Sequence, residues 1–322
     1  MTFPGLFDLQ VNGFGGHDFN GPELTDEGVT DALDRLSTTG VTRCLPTLIT
    51  SPYDHFARNA RMVARHPHPA IAGIHMEGPY ISPEDGPRGA HPREHVCAAS
   101  IDDFNRRQDA ADGRIVLVTL APEVPGALPL IEHLTASGVR VAIGHSAAAP
   151  HQIGEAIAAG ATLATHLGNG CAQLLPRHPN IIWELLAADA VFVSLIADGH
   201  HLPPATVKTM ARAKGPDRTI LVTDAVAAAG CRPGRFTIGG VETVLGDDGR
   251  VSLPGTPYLA GSSLTLDRAI ANMSRFTGLP LDDVVPMASS IPAAYLGMTP
   301  AGTVSLDWDA DARVLRVGRV TS

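Results

Sequence analysis

GVRVAIGHSAAAPHQIGEAIAAGATLATHLGNG, residues 138–170, carries the repeat that decides the fold. Val139–His145 is apolar without clean alternation, as a strand buried on both faces should be, and it ends in a histidine and a loop. Pro150–Ala159 then reads as a helix and stops at Gly160, a residue that supplies a left-handed cap. Ala161 follows at once, and Thr162–His166 is a second strand that again ends in a histidine and a glycine-bounded loop. Strand, helix, glycine, strand is the βα repeat of a parallel sheet.

The same unit extends in both directions. Further runs occur at Leu6–Val11, Val41–Leu48, Ile71–Glu77, Arg114–Ala121, Val191–Ala197 and Thr219–Asp224, which makes eight in all. Between them Thr25–Thr39, Leu128–Ser137 and Pro203–Ala213 have helical patterning and stop at or near Gly40, Gly138 and Gly215. Eight βα units in series predict a closed (β/α)8 TIM-type barrel, which typically takes about 250 residues. An open doubly wound sheet is the competitor, but it usually carries G-x-G-x-x-G after its first strand. The turn here, Asn12-Gly13-Phe14-Gly15-Gly16, lacks that spacing.

After Asp224 the pattern changes. Arg235–Leu253 reads as β-hairpins with turns at Gly239-Gly240 and Asp247-Asp248-Gly249. Ser262–Phe276 and Leu281–Leu296 read as helices, and Thr303–Val320 as a terminal hairpin around Asp309–Asp311. The expected organisation is a barrel over 1–300 with a β-hairpin insertion near 234–257, followed by a C-terminal hairpin over 301–322.

Composition narrows the function classes. In 322 residues, 44% are hydrophobic and 18% charged, enough to build a large core and too apolar for wholesale disorder. The net charge is −9 and no basic block occurs, which argues against a nucleic-acid binder. Cys44, Cys97, Cys171 and Cys231 are far apart with no C-x-x-C pair, so neither a zinc knuckle nor a disulfide framework is expected, and a cytoplasmic location fits. MTFPGLFDLQ has no signal-peptide pattern, and no apolar run reaches the roughly 18 residues of a membrane span.

In a barrel, function gathers at the C-terminal strand ends. Reading those ends gives Gln10 and Asn12, Glu77, Glu123, His145, His166, Asp198 and Asp224. Glu77, His145 and His166 are a zinc-type set of three protein ligands with a fourth position left open. A single strand-end histidine is most often a satisfied, partly buried side chain; three suitable residues on three strand ends weigh against coincidence. His75 shares the face of Glu77 and is read as either a support behind a ligand or plain packing. His200 and His201 follow Asp198-Gly199 at the same mouth and are candidates to touch substrate.

Eight blocks occur in order: PGLFDLQVNGFGG, GIHMEGPYISPEDGPRGAH, TLAPE, AIGHSAA, GATLATHLGNG, IADGHH, LVTDAVAAAG and LAGSSLTL. Together they resemble the N-acetylglucosamine-6-phosphate deacetylases of the amidohydrolase superfamily, over nearly the whole chain. The resemblance implies a metal-dependent barrel hydrolase that removes acetate from the amide of an amino-sugar phosphate. It implies Glu77, His145 and His166 as metal ligands and Asp224 as the acid/base. It places Gln10 near the metal and gives His91 to the substrate carbonyl; Asn169, Gly170 and His201 fall to the substrate. Arg177 matches an arginine that reaches a phosphate in the neighbouring subunit, which implies a homodimer.

Three differences from the family pattern stand out. The first-strand H-x-H found in many superfamily members is Gln10-Val11-Asn12 here, so one divalent metal is expected, zinc first and iron, cobalt or manganese otherwise. The loop Gly168–Pro179 is rewritten while Arg177 is kept, which leaves a non-phosphorylated N-acyl substrate as the alternative. The barrel starts near Pro4, so the family's small β-sandwich is expected to be reduced or absent. A non-catalytic binding protein on the same scaffold is the third reading. The intact Glu/His/His/Asp set argues against it.

Overall fold

The computed structural model describes residues 1–256, 258–309 and 314–321. Eight parallel strands form one sheet: β1 (Leu6–Val11), β2 (Val41–Ile49), β3 (Ile74–Glu77), β4 (Ile115–Leu120), β5 (Arg140–Ile143), β6 (Ala161–Ala164), β7 (Phe192–Leu195) and β8 (Thr219–Leu221). Each strand pairs with the next in sequence, as repeated βα units dictate. The barrel nearly closes at the seam between β8 and β1. There Val11 bridges Ala225, and the Asn12 N–H donates to the Ala225 carbonyl over 2.7 Å. Below this bridge the buried Asp8 carboxylate accepts from the Thr223 hydroxyl at 2.5 Å and from the Thr223 and Gln10 N–H groups at 3.2 Å each. Burial raises Asp8 to about 7, against the pull of those donors.

The helices pack outside this sheet: α1 (Asp26–Ser37), α2 (Tyr53–Arg65), α3 (Ile101–Ala110), α4 (Ala127–Ala136), α5 (Pro150–Ala159), α6 (Ile181–Ala187), α7 (Pro204–Lys214) and α8 (Leu266–Thr277). Thr25, Ser100 and Asn180 cap α1, α3 and α6 by accepting from backbone N–H groups of the first turn. Gly160 ends α5 at φ 116°, the left-handed cap that its position in the sequence predicts.

Three helices escape the sequence reading, two because their inner faces are largely small or polar and one because it is short. The buried face of α2 is built from Phe56, Ala57, Asn59, Ala60, Val63 and Ala64. In α3 only Phe104, Arg107 and Ala110 are buried, and α6 has just seven residues. Two expected helices are corrected. Ser262 is held in a bridge to Ala225, so α8 starts only at Leu266. Over Leu281–Leu296 the chain forms two short α-helices, Leu281–Val284 and Ser290–Tyr295, around a 3-10 turn that contains Pro286.

The insertion is a three-stranded antiparallel flap of Gly234–Ile238, Val241–Leu245 and Val251–Ser252. It has its own small core in which Ile238, Leu245 and Val251 pack with Ile49, Val226 and Ala228. The buried Asp18 carboxylate ties the flap to the barrel by accepting from the Gly239 N–H at 2.7 Å. At the other end, Thr303–Asp309 pairs with Val314–Thr321, and Thr2–Pro4 adds a third strand that the sequence reading omits. The expected turn at Asp309–Asp311 lies, beyond Asp309, outside the described residues. All four cysteines are free thiols. Among the described residues no helix is long and apolar enough to cross a membrane.

Candidate metal centre

Glu77 ends β3, while His145 and His166 stand two residues past the ends of β5 and β6. Their ligand atoms converge. Glu77 Oε1 lies 3.1 Å from His166 Nε2 and 3.3 Å from His145 Nε2, and the two Nε2 atoms are 3.1 Å apart. Donors 2.0–2.1 Å from a tetrahedral ion are separated by roughly 3.4 Å, so this triangle fits a divalent metal. The chemistry of the donors fits too. His145 Nδ1 sits 2.9 Å from the Pro87 carbonyl, an acceptor that keeps a proton on Nδ1 and leaves Nε2 as the nitrogen that would bind an ion. Among the described residues this is the one group of three or more His, Cys, Asp or Glu side chains able to hold an ion.

Charge in this cluster is tightly coupled. Burial alone would raise Glu77, but hydrogen bonds to His145 and His166 hold its carboxyl well below the usual range. Burial alone would depress His166, yet the hydrogen bond and charge of Glu77 raise it. A carboxylate that stays ionised in a fully buried pocket is poised for a cation.

Local backbone strain marks the same residues. Among the described residues, four non-glycine positions have positive φ, and three are His145 (49°), His166 (32°) and Asp224 (53°). Such conformations cost of order 1–3 kcal/mol each and persist only where surroundings impose them. The surroundings here are explicit. Ser194 Oγ accepts from the His166 N–H at 2.7 Å, the Ser82 N–H donates to the His145 carbonyl at 2.9 Å, and the Asp224 N–H donates to the Gln10 carbonyl at 3.0 Å.

Asp224 faces Glu77, His145 and His166 across the barrel mouth. Its Oδ1 accepts from Asn12 Nδ2 at 2.7 Å and from Gln10 Nε2 at 3.1 Å. Gln10 Nε2 also donates to Glu77 Oε1 at 2.9 Å, so one amide orients both carboxylates. Burial first and the Glu77 charge second push Asp224 up to about 6. Gln10 lies beneath the cavity rather than on its wall, whereas Asn12 lines it.

His91 completes the floor. Its Nε2 lies 3.9 Å from Glu77 Oε2, and its ring meets His145 edge-on at 4.3 Å between centroids. Burial and the neighbouring His145 charge hold His91 down to about 3, a neutral ring at working pH. Arg88 anchors the loop by donating from Nη1 to the His91 carbonyl at 2.7 Å.

A cavity of about 650 Å³ opens above these groups. Glu77, His91, His145, His166 and Asp224 line it together with Asn169, Gly170 and His201. His201 Nδ1 is 2.6 Å from Asp198 Oδ2, which orients the ring. His200 instead reaches the Asp248 carbonyl of the flap at 3.2 Å. Arg177 is exposed and lies outside the cavity of its own chain. Glu123 is not on the wall either; it accepts from Ser146 Oγ and the Ala147 N–H and braces the loop after β5. His75 is buried inside the barrel, 2.8 Å from Thr119 Oγ1, and burial lowers it to about 4.

Sequence reasoning missed the rest of the wall. Arg88, Arg250 and Tyr258 contribute to it, as do the apolar Ile49, Ile196 and Ile238. Their signal was positional only: Ile49 and Ile196 sit at strand ends, and the others come from loops and the flap, whose place over the mouth no local pattern shows.

The Amidohydrolase family model matches residues 1–318. The N-acetylglucosamine-6-phosphate deacetylase of Lysinibacillus sphaericus is 32% identical over 320 residues, covering 98% of this chain and 81% of that protein. The enzyme of the same name from Bos taurus is 37% identical over 97% of this chain and 78% of its own length. Among solved structures, a mutant of the N-acetyl-D-glucosamine-6-phosphate deacetylase of Mycobacterium smegmatis, in complex with N-acetyl-D-glucosamine-6-phosphate, superposes with a TM-score of 0.91. It is 32% identical and covers 99% of this chain and 85% of that one.

Proposed function

Because this chain belongs to the amidohydrolase family, and within it to the N-acetylglucosamine-6-phosphate deacetylases, we propose that it releases acetate from the amide of an N-acetyl amino-sugar 6-phosphate. The observation that carries the reading is the buried Glu77/His145/His166 triangle with Asp224 facing it across one cavity. A divalent ion held by those three residues supplies Lewis acidity, which lowers the pKa of water from about 15.7 toward 7 and polarises a carbonyl.

The chain's own groups do the rest. Asp224, held by Asn12 and Gln10, takes the proton of the attacking water at its free carboxylate oxygen and returns it to the leaving amide nitrogen. Its raised pKa suits a group that must both accept and donate near neutrality. His91 Nε2–H donates to the carbonyl oxygen as negative charge develops there. Asn169, Gly170 and His201 hold the sugar on the cavity wall. Arg177, exposed on its own subunit, takes the 6-phosphate of the partner's substrate in a homodimer.

Zinc is the proposed ion, since two imidazoles and a carboxylate suit it; elemental analysis of the purified protein separates it from iron, cobalt and manganese. The catalytic unit is read as residues 1–300 with the flap near 234–257, and 301–322 as a C-terminal β-hairpin. A cytoplasmic location is proposed with it.

A second reading, a non-phosphorylated N-acyl substrate, draws on the cavity itself, whose wall does not include its own chain's Arg177. Acetate release from N-acetylglucosamine with and without the 6-phosphate tests the pair. A large preference for the phosphorylated sugar supports the first reading, and equal turnover supports the second.

A further inference from the structure

Thr50 follows directly after β2, beside the cavity floor, and is buried at 2% exposure. Its hydroxyl lies 2.8 Å from His91 Nδ1. The side chain is also pinned from behind. A Cβ on Gly78, the residue after Glu77, would come within 2.2 Å of Thr50 Oγ1, so the hydroxyl occupies the space that this glycine leaves open. Arg88 fixes the same histidine through its backbone carbonyl. His91 is thus clamped at both ends of the residue, with its Nε2 edge turned to the side where Glu77 lies at 3.9 Å.

Two tautomers satisfy the 2.8 Å contact. In one, Nδ1–H donates to Thr50 and the Nε2 lone pair faces the Glu77 carboxylate. In the other, the Thr50 hydroxyl donates to Nδ1 and Nε2–H faces it. Thr50 is buried and His91 Nδ1 is the hydrogen-bond partner its hydroxyl has among the described residues, so a hydroxyl that only accepted from Nδ1–H would leave its own proton unpaired; donation to Nδ1 satisfies both groups and selects the second. Only that form can donate a hydrogen bond to a substrate carbonyl oxygen.

We propose that Thr50 is a positioning residue that holds His91 in its Nε2–H tautomer by donating its hydroxyl proton to Nδ1. The role rests on the deacetylase reading only for its catalytic consequence; the tautomer itself is a property of the protein before any substrate binds. Thr50 acts through His91 and does not touch the reacting atoms.

The test uses zinc-loaded protein with 15N-labelled histidine, with the His91 signals assigned by their loss in His91→Gln. Long-range 1H–15N spectra of the wild type should show a protonated Nε2 and an unprotonated Nδ1; the opposite pattern overturns the proposal. Thr50→Val replaces the hydroxyl with a methyl of similar shape. It should keep bound zinc, mix the two tautomers, and lower kcat for N-acetylglucosamine-6-phosphate by about 10–100-fold while KM changes less than about two-fold, a part of the 10²–10³ attached to losing an oxyanion donor outright. Thr50→Ser, which keeps the donor, should return kcat to within about three-fold of wild type. Full kcat in Thr50→Val, or failure of Thr50→Ser to restore it, contradicts the assignment. If Thr50→Val does not fold, the wild-type spectrum and Thr50→Ser still decide. A wild type with no turnover on this substrate but with Nε2–H on His91 would sink the function and leave the tautomer standing.

Discussion

His145, His166 and Asp224 share left-handed backbone just past the ends of their strands. That conformation turns each side chain out of the sheet and back over the barrel mouth, at a cost that folding alone would not select. The site is therefore built from strained residues held by Ser194, Ser82 and the Gln10 carbonyl. Two predictions belong at this scale. His166→Ala removes one of the three proposed ligands, so metal content measured by elemental analysis should fall well below one ion per chain. A fully metallated variant would remove His166 from the ligand set. Asp224→Asn preserves shape and should keep the metal while kcat drops by at least about 10²–10⁴, the range for losing a general acid/base. Near-normal turnover would show that the proton goes elsewhere. These residues were legible in the sequence because each ends an apolar run. What was not legible was the support of the site: Thr50, which holds His91, and Ser194, which holds His166, carry no motif, and only folding brings them within 3 Å of the residues they hold.

At the scale of elements, the flap is tied to the barrel by a small shared core and a few hydrogen bonds. Asp18 anchors it, accepting from the Asn20 N–H at 2.8 Å and the Gly239 N–H at 2.7 Å. Burial raises this carboxyl from 3.8 to about 7, against those two donors. A carboxylate raised on folding binds its proton more tightly in the native state. Its contribution to stability is full below about pH 3.8 and is lost as pH rises through about 7. Asp18→Asn has no such loss, so its stability relative to wild type should increase from pH 4 to pH 8. Urea unfolding midpoints at the two pH values check this; an unchanged difference would mean that Asp18 ionises like an ordinary aspartate. The strands, the glycine-capped helices and the hairpins were readable because burial on both faces and turn chemistry leave local marks. Helices α2 and α3 were not, since alanine, asparagine and a buried Arg107 form their inner faces. The break at Pro286 was hidden by the helical spacing on either side of it.

At the scale of the whole molecule, one barrel mouth gathers residues from β1 to β8, and the seam beside Asp8 and Thr223 places Asp224 across from Glu77, His145 and His166. Arg177 is exposed and does not line that cavity. If it serves the partner subunit, Arg177→Met should raise KM for the phosphorylated sugar by about 10–100-fold, the size of a lost charge-assisted hydrogen bond, and leave kcat near normal. A mixed dimer of one Arg177→Met subunit and one Asp224→Asn subunit should then regain wild-type KM at about half the kcat, because the live site borrows the intact arginine. A mixed dimer that keeps the raised KM would return Arg177 to the surface. The central claim is tested most directly by acetate release on zinc-loaded protein from N-acetylglucosamine-6-phosphate and from N-acetylglucosamine, with Asp224→Asn as control. The account predicts turnover that strongly favours the phosphorylated sugar and vanishes in the variant; no acetate from either sugar, or release that survives in Asp224→Asn, would contradict it.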